Sequence, residues 1–504
     1  MAEQQRPPRP SCPARSLSAV FSAAVTALSH TGLRMASDPA NTNTSAAGSP
    51  TAKITDLGPL RDASGGPVRF LHSSDLHLGK SGDTPKAFLN LVKLAIERNV
   101  DLVVLGGDVY DSADRSAFAQ LQFTQGLTRL TQEGIRVFIA HGNHDPVQAN
   151  FTPVAPLPER VYTFTAGEPQ TFLMTVGPTR VAVTGVSFAT QKEEANLVQK
   201  IGATTVGADL RIAVVHANVE GLPGHDNYAG CSREDLLNSD IDYWALGHIH
   251  DRTVTPMPAG RWWAYPGNLQ GRSTKATECG PKGVLIVEAA GEGFAKPEFV
   301  ACDLSRFLRV QVDVTGAEHA AAAVDQICEQ ATRAIEQDNP LGLPTVVRIA
   351  ISGATDAHPG LQNLLAEEGF ADSLTPLLPA NVSIKNVSLE TTIPFDRTVL
   401  AARPDVVGAV LTKLDELRTT ATNSQTNGQD SNQANSQPNP VISALLERAA
   451  STIGPASKTL TEQALVLNTV TPEELLDQVE RLLIDSLAPS TEDESEVAEG
   501  SVQP

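Results

Sequence analysis

The chain has 504 residues, 41% of them hydrophobic, and a formal net charge of −20. This length exceeds what one compact core usually holds, so about three structural units are expected. No stretch of about 18 uninterrupted apolar residues occurs, so the sequence predicts no transmembrane helix.

The negative charge is unevenly distributed along the chain. Residues 67–302 carry 20 Lys and Arg against 25 Asp and Glu, a net charge of −5. Two bound divalent cations would nearly cancel that value. Net charge therefore neither supports nor excludes a nucleic-acid substrate.

The five cysteines are odd in number, widely spaced and without a Cys-x-x-Cys pair. This pattern indicates a reducing compartment, hence a cytoplasmic location, with no disulfide framework and no zinc–thiolate site.

Residues 1–66 are rich in Ser, Ala, Pro and Thr, and they predict a disordered or over-extended N-terminus. A secretory signal is the competing interpretation. Several Ser and Thr residues dilute the apolar stretch at 16–29, which disfavours such a signal.

Residues 67–302 alternate between strand and helix patterns. Strands are predicted at 68–73, 101–105 and 136–140, with helices at 87–98 and about 116–133 between them. This order implies an α/β fold with parallel strands and helices packed on a face. Further strands are predicted at 180–187, 210–216, 243–246, 261–265 and 283–288.

A second unit, predicted at 303–418, is a small α+β domain that opens with an alternating strand at 308–314. Residues 419–440 are rich in Asn, Gln, Ser and Thr, which predicts a flexible linker. Residues 441–488 predict a helical segment with one apolar stripe, formed by Leu475, Leu476, Val479, Leu482 and Leu483. An acidic tail at 489–504 follows.

Potential metal ligands follow the predicted strands one after another. They stand in Asp75-Leu-His77, Gly107-Asp108, Gly142-Asn143-His144-Asp145, His216 and Gly247-His248-Ile-His250. The carboxyl ends of strands in an α/β sheet meet at one edge, where ligands bind. Mixed oxygen and nitrogen ligands without thiolate suit manganese, iron or zinc better than calcium or magnesium. Two such ions in one cleft would serve in-line attack on a phosphate ester.

These motifs resemble those of the calcineurin-like metallophosphoesterase superfamily. More narrowly, the stretches 227–236, 242–250 and 265–272 resemble the SbcD/YhaO branch of DNA repair exonucleases. The resemblance implies a two-sheet αββα metallophosphoesterase domain over 67–302. A small α+β capping domain and a C-terminal helical, partner-binding segment would follow it.

The resemblance also implies a role for each matching residue. Asp75, His77, Asp108 and His250 would hold one ion, and Asp108, Asn143, His216 and His248 the other. His144 would act on the scissile phosphate without binding metal, and Asp111 would orient it. Asp145 is expected to orient its loop and not to bind metal. Manganese is the expected ion.

The loop after residue 271 is interpreted in two ways. Arg272 and Lys275 could bind substrate phosphates, but a solvated loop would explain both residues nearly as well. The stretch 273–278 lacks a histidine that is expected there in the SbcD/YhaO branch. This departure affects the prediction of substrate specificity but does not affect the prediction of the metal site.

The resemblance implies a two-metal-dependent DNA exonuclease of 3′ to 5′ polarity, with endonuclease activity left open. It would act in DNA repair with an SbcC-like SMC-family ATPase. A homodimer is left open, and no membrane partner is expected. The alternatives are a phosphodiesterase for small nucleotides, a phosphoprotein phosphatase with the same metal site, and a non-catalytic adaptor.

Overall fold

The structure is a computed structural model. It describes residues 53–62, 66–79, 82–113, 115–202, 207–221, 228–291, 293–394, 397–404, 408–409, 411–412 and 414–415. Described residues up to Ile393 belong to one compact unit, and those from Pro394 onward belong to another.

The strands of the first unit run in chain order as follows: β1 (Lys53–Arg61), β2 (Arg69–Ser73), β3 (Leu102–Gly106), β4 (Arg136–Ala140), β5 (Val161–Thr163), β6 (Gln170–Val176), β7 (Thr179–Val186), β8 (Leu210–His216), β9 (Tyr243–Gly247), β10 (Thr253–Met257), β11 (Arg261–Tyr265), β12 (Gly283–Ala290), β13 (Gly293–Phe294), β14 (Glu298–Ala301), β15 (Arg306–Asp313), β16 (Thr345–Ala354) and β17 (Val382–Thr392).

The helices are α1 (Thr84–Glu97), α2 (Ala117–Gln132), α3 (Leu197–Gly202), α4 (Arg233–Leu237), α5 (Ala320–Asp338), α6 (His358–Ala366) and α7 (Phe370–Leu374) in the first unit, and α8 (Arg397–Ala401) in the second. A 3-10 turn at Ala276–Glu278 lies between β11 and β12. None of the described helices is long and apolar enough to cross a membrane.

Two seven-stranded sheets form the larger part of the first unit. One has the order β1-β6-β7-β8-β9-β11-β10, and the other has β13-β12-β2-β3-β4-β5 with β14 paired to β12. Strands β2 to β5 are mutually parallel, as are β7, β8, β9 and β11. The parallel strands of each sheet therefore end at the same edge.

The two sheets pack face to face on an apolar layer. Phe70 and Phe138 of one sheet share this core with Phe172 and Ile212 of the other. Helices α1 and α2 cover the outer face of β2–β4, and α3 and α4 cover the outer face of β7–β9. This arrangement confirms the expected αββα fold.

Local sequence explains where the helices that flank the site begin. Pro85 lies in the first turn of α1, where its missing N–H costs no hydrogen bond. Ser116 caps α2, and its side chain accepts a hydrogen bond from the Ala119 N–H. Phe88 and Leu91 then place one face of α1 in the core.

The capping domain is a three-stranded parallel sheet in the order β15-β16-β17. Leu308, Val310 and Ile349 on one face of this sheet pack against Ile327 and Ala331 of α5. The other face of the sheet carries exposed polar and charged side chains among half-buried apolar ones such as Phe307 and Val346. The cap thus has one covered and one open face.

Two predicted boundaries differ from the structure. Residues 53–61, assigned above to a disordered or over-extended N-terminus, form β1, which pairs in parallel with β6. Local pattern did not predict this strand because its stabilising partner lies more than 100 residues away. The cap, predicted over 303–418, ends its sheet at Thr392, and residues from Pro394 belong to the other unit.

The predicted linker 419–440, the helical segment 441–488 and the acidic tail 489–504 lie outside the described residues. Of the five cysteines, the four that the structure describes are free thiols.

Candidate metal centre

The sequence-predicted ligands come together where the carboxyl ends of the two sheets meet. Asp75 and Asp108 follow β2 and β3, Asn143 follows β4, His216 ends β8, and His248 follows β9. Strand termini of two packed sheets thereby supply side chains to one cleft.

Four of the predicted ligands hold a left-handed backbone. The φ angles are 51° at Asp75, 48° at His77, 49° at Asp108 and 102° at His248. Such angles are uncommon for residues other than glycine, and they concentrate at functional sites because surrounding structure enforces them. The turns thus aim the side chains inward at a cost in backbone energy.

Glycines make room for the His216 ring. A Cβ at position 107 would lie 2.5 Å from Nδ1 of His216, and one at position 142 would lie 2.4 Å from Oδ1 of Asp108. Any side chain at either position would displace a proposed ligand. This contact explains why the motifs place glycines beside Asp108 and Asn143.

One group of ligand atoms is formed by Asp75, His77 and His250. Their candidate atoms all lie within 4.8 Å of one another. The Nε2 atoms of His77 and His250 are 3.2 Å apart, and Nε2 of His250 is 3.7 Å from Oδ1 of Asp75. Two imidazoles and a carboxylate therefore converge on one point.

A second group is formed by Asp75, Asp108 and His216, which also satisfy the 4.8 Å separation. Nε2 of His216 lies 3.5 Å from Oδ2 of Asp108 and 3.0 Å from Oδ1 of Asn143. The His248 ring centroid is 5.1 Å from that of His216, so all four residues expected around the second ion are neighbours. The backbone N–H of His248 donates to Oδ2 of Asp75.

The donor atoms suit divalent cations. Oδ1 of Asp75 is buried and accepts no hydrogen bond from any residue that the structure describes. A buried carboxylate oxygen without a donor is costly unless a cation compensates it. Burial alone would raise the pKa of Asp75, but the imidazoles of His216 and His250 hold it well below its usual range. The residues present thus fit a pair of metal ions.

His144 lies at the open side of this cluster, with 42% of its side chain exposed. Its backbone N–H donates to Oδ1 of Asp108, and Nε2 lies 4.0 Å from Oδ2 of the same residue. Its Nδ1 is 2.9 Å from the main-chain carbonyl oxygen of Asp111. The orienting contact expected from Asp111 is therefore made by its backbone.

The Asp111 carboxylate has other neighbours. Its Oδ1 accepts a hydrogen bond from the Arg272 guanidinium at 2.5 Å and lies 3.4 Å from Nδ1 of His77. It therefore stands behind His77, on the side away from Nε2.

Glu278 is a functional residue that sequence reasoning missed. Its Oε1 accepts a hydrogen bond from Nδ1 of His250 at 2.8 Å, and its Oε2 accepts from the Asn268 amide and the Arg272 N–H. Burial opposes ionisation of Glu278, yet the hydrogen bond and charge of His250 lower its pKa to about 2. The stretch 273–278, which lacks the expected histidine, thus places a buried carboxylate behind the predicted ligand His250.

The Arg272 guanidinium, a candidate phosphate contact, is paired with carboxylates of the site. Its guanidinium pairs with Asp111 and lies 3.6 Å from Glu278, which joins the carboxylates behind His77 and His250. Of the two candidate phosphate contacts, Lys275 is exposed and Arg272 is half-buried. Contact of either residue with a substrate phosphate stays a prediction.

Asp145 orients the loop that carries Asn143 and His144. Its carboxylate accepts hydrogen bonds from the backbone N–H groups of Gly142 and Val109 and contacts Nδ1 of His141. It accordingly belongs to the scaffold of the site, as the sequence predicted.

The chain matches two family models. The model of the calcineurin-like phosphoesterase family matches residues 68–252, and that of the middle domain of metallophosphoesterase YhaO matches residues 307–392. These ranges correspond to the two-sheet domain and to the cap.

Curated relatives agree with the family models. Metallophosphoesterase YhaO of Bacillus subtilis (strain 168) is 30% identical over 305 residues, which cover 57% of this chain and 72% of that protein. The DNA double-strand break repair protein Mre11 of Sulfurisphaera tokodaii is 25% identical over 239 residues, or 45% of this chain and 60% of that one. The SbcD component of the SbcCD nuclease of Escherichia coli (strain K12) is 34% identical over 87 residues, or 16% and 22%. The chain belongs to the calcineurin-like phosphoesterase family, in the branch with a YhaO-type middle domain, and it is a metallophosphoesterase that hydrolyses phosphoester bonds.

Proposed function

We propose that the protein is a two-metal-dependent DNA phosphodiesterase, an exonuclease of 3′ to 5′ polarity that acts in DNA repair. The observation that carries the proposal is the position of His144. This residue is partly exposed beside the two groups of candidate metal ligands and is anchored through Nδ1. The names of the Mre11 and SbcCD relatives support DNA as the substrate.

The chemistry divides between the ions and His144. Two divalent ions, when bound, would supply positive charge at the phosphate and activate a water-derived nucleophile. The hydrogen bond from Nδ1 to the Asp111 carbonyl leaves Nε2 of His144 on the Asp108 side of the ring. From there it can protonate the leaving oxygen or stabilise charge on it.

We propose manganese as the ion of this site; it is one of the metals, with iron and zinc, that carboxylate, amide and imidazole donors without thiolate suit. We further propose an SbcC-like SMC-family ATPase as a partner and a cytoplasmic location. Support for the partner comes from the name of the SbcCD relative. The free thiols of the described cysteines agree with a reducing compartment.

One experiment separates this function from the small-substrate alternatives. The purified protein with Mn²⁺ is given linear duplex DNA labelled at either the 3′ or the 5′ end, bis-p-nitrophenyl phosphate, or a phosphopeptide. We expect Mn²⁺-dependent release of nucleotides from 3′ ends. An Asp108→Ala protein purified in the same way controls for contaminating nucleases.

Hydrolysis of the phosphopeptide without DNA cleavage would identify a phosphatase instead. Hydrolysis of bis-p-nitrophenyl phosphate alone would leave a small-substrate phosphodiesterase. Release from 5′ ends would reverse the proposed polarity.

A further inference from the structure

The open face of the cap sheet carries an unusual pair of charges. Alternation along β15 buries Leu308 and Val310 and exposes Arg309 between them. On β16 the same alternation exposes Arg348 between Val347 and Ile349. Both arginines therefore stand on the face opposite α5.

Strand register places the two arginines side by side. Arg309 pairs with Arg348, and Arg348 pairs in turn with Asn386 of β17, next to the exposed Lys385. Like charges directly opposed on neighbouring strands destabilise a sheet. No described residue forms an ion pair with Arg309 or Arg348. We call Arg309 and Arg348 the basic row.

Charge is sorted along this face. Four residues beyond Arg309, Asp313 pairs with Ser352, which pairs with Glu390, so the acids lie nearer the carboxyl ends of the strands than the arginines do. An ordinary solvent-exposed surface would carry positively and negatively charged side chains side by side. The separation leaves a local cationic strip on a chain with a net charge of −20.

The basic end of the face is the end nearer the metal centre. The N–H of Gly280, the residue after Cys279, donates to the carbonyl of Phe307, two residues before Arg309. Cys279 directly follows Glu278, which is bound to the ligand His250. The exposed Lys275 lies in the same segment.

The approach of the cap to the centre is fixed by a buried amide. The Gln270 side chain donates to the Ser305 carbonyl and accepts from the Leu304 N–H, where the chain enters β15. The start of β15 is thereby tied to the loop that carries Gln270 and Arg272.

We propose that the basic row binds the phosphate backbone of the duplex DNA substrate at a distance from the bond that is cleaved. This inference rests on the proposed function. It adds that the DNA duplex lies across the open face of the cap. Basic side chains that contact only phosphates raise the affinity for DNA of any sequence, and they make that affinity depend on the salt concentration.

The test compares the full-length protein with an Arg309→Ala/Arg348→Ala double variant. Fluorescence anisotropy of labelled duplex DNA is measured over a series of salt concentrations. On duplex DNA each phosphate contact contributes about 0.9 to the slope of log affinity against log salt, so the loss of two contacts should reduce that slope by about 1.8. DNA cleavage should fall about tenfold at subsaturating DNA, while hydrolysis of bis-p-nitrophenyl phosphate stays unchanged.

Two control variants make the result specific. Gln311→Ala alters the same open face without changing charge and should behave as the parent protein. Arg309→Lys/Arg348→Lys keeps both charges and should restore the salt slope. Because all these positions are exposed, circular dichroism melting should show the same fold in each variant.

The inference is overturned if the parent protein cleaves DNA and the double alanine variant has the same salt slope. Loss of bis-p-nitrophenyl phosphate hydrolysis in that variant would also overturn it, since the arginines would then act on the metal centre. If the parent protein neither binds nor cleaves DNA, the proposed function fails, and this inference fails with it.

Discussion

The carboxylate of Glu278 accepts a hydrogen bond at 2.8 Å from Nδ1 of His250, the nitrogen opposite the one that faces His77. This contact fixes which ring nitrogen carries the proton. Nε2 is thereby left to bind a metal ion. Carboxylates placed behind histidine ligands in this way orient the ring and raise its basicity.

Replacing Glu278 by Gln should weaken metal binding more than it weakens the fold. Loss of such a partner typically lowers metal affinity about 10–100-fold. The measurement is calorimetric titration of metal-stripped protein with Mn²⁺, together with thermal melting of both proteins. Glu368→Gln, an exposed residue of the cap, is the matched control. Unchanged Mn²⁺ affinity in Glu278→Gln would show that His250 is oriented without this carboxylate.

Substitution of the ligands themselves should be more severe. Asp108 lies beside His216 and also accepts the backbone N–H of His144, so Asp108→Ala should empty or misplace the ions and abolish turnover. His248→Ala should likewise lose metal and activity. Metal content by mass spectrometry and hydrolysis of bis-p-nitrophenyl phosphate are the two measurements. Asp240→Ala, on the exposed surface, controls for loss of charge. Full activity in purified Asp108→Ala protein would contradict the two-metal interpretation.

The His144→Ala substitution should lower the rate of hydrolysis without lowering the metal content. The imidazole is anchored to a carbonyl and stands at the edge of the cluster, so its removal should leave both ions bound. The rate should fall about 10²–10⁴-fold, the usual worth of a positioned acid or base. Metal content and DNA affinity are measured beside kcat. A loss of metal as large as that of His248→Ala would mean that His144 is a ligand.

Metal affinity should fall when the solution is acidified. Burial would lower the pKa of His250, but the hydrogen bond to Glu278 and the charge of Asp75 raise it above its ordinary value of about 6.5. Below that raised pKa, Nε2 holds a proton that a metal ion must displace. Calorimetry at a series of pH values, in two buffers of different ionisation enthalpy, should find weakening that begins above about pH 6.5, with proton release. Equal Mn²⁺ affinity from pH 8 to pH 6 would contradict this assignment.

Deleting residues 441–504 should weaken binding of the ATPase partner and leave the metal centre unchanged. The stripe Leu475, Leu476, Val479, Leu482 and Leu483 follows a predicted linker, and an amphipathic helix on a tether needs a partner for its apolar face. Metal content and hydrolysis of bis-p-nitrophenyl phosphate should stay at the full-length level. Pull-down of an SbcC-like ATPase and ATP-stimulated DNA cleavage should decline. Equal capture of the ATPase by both proteins would leave the stripe without this role.

The sequence by itself determined the parts of the site that follow a local rule. Asp75, Asp108 and Asn143 stand just beyond apolar strand patterns, and parallel strands bring such ends to one edge. The order of these residues, with the histidines that follow, was therefore sufficient to predict the metal cluster and the family.

Only the tertiary structure decided which residues form hydrogen bonds and ion pairs with the predicted ligands and their neighbours. Glu278 and His250 are 28 residues apart, and Arg272 and Asp111 are 161 apart, in loops without periodic patterns. Pairing of Arg309 with Arg348 likewise depends on strand register, which is set by the packing of the cap sheet against α5. Such contacts depend on how separate segments meet in space, and no local pattern encodes that meeting.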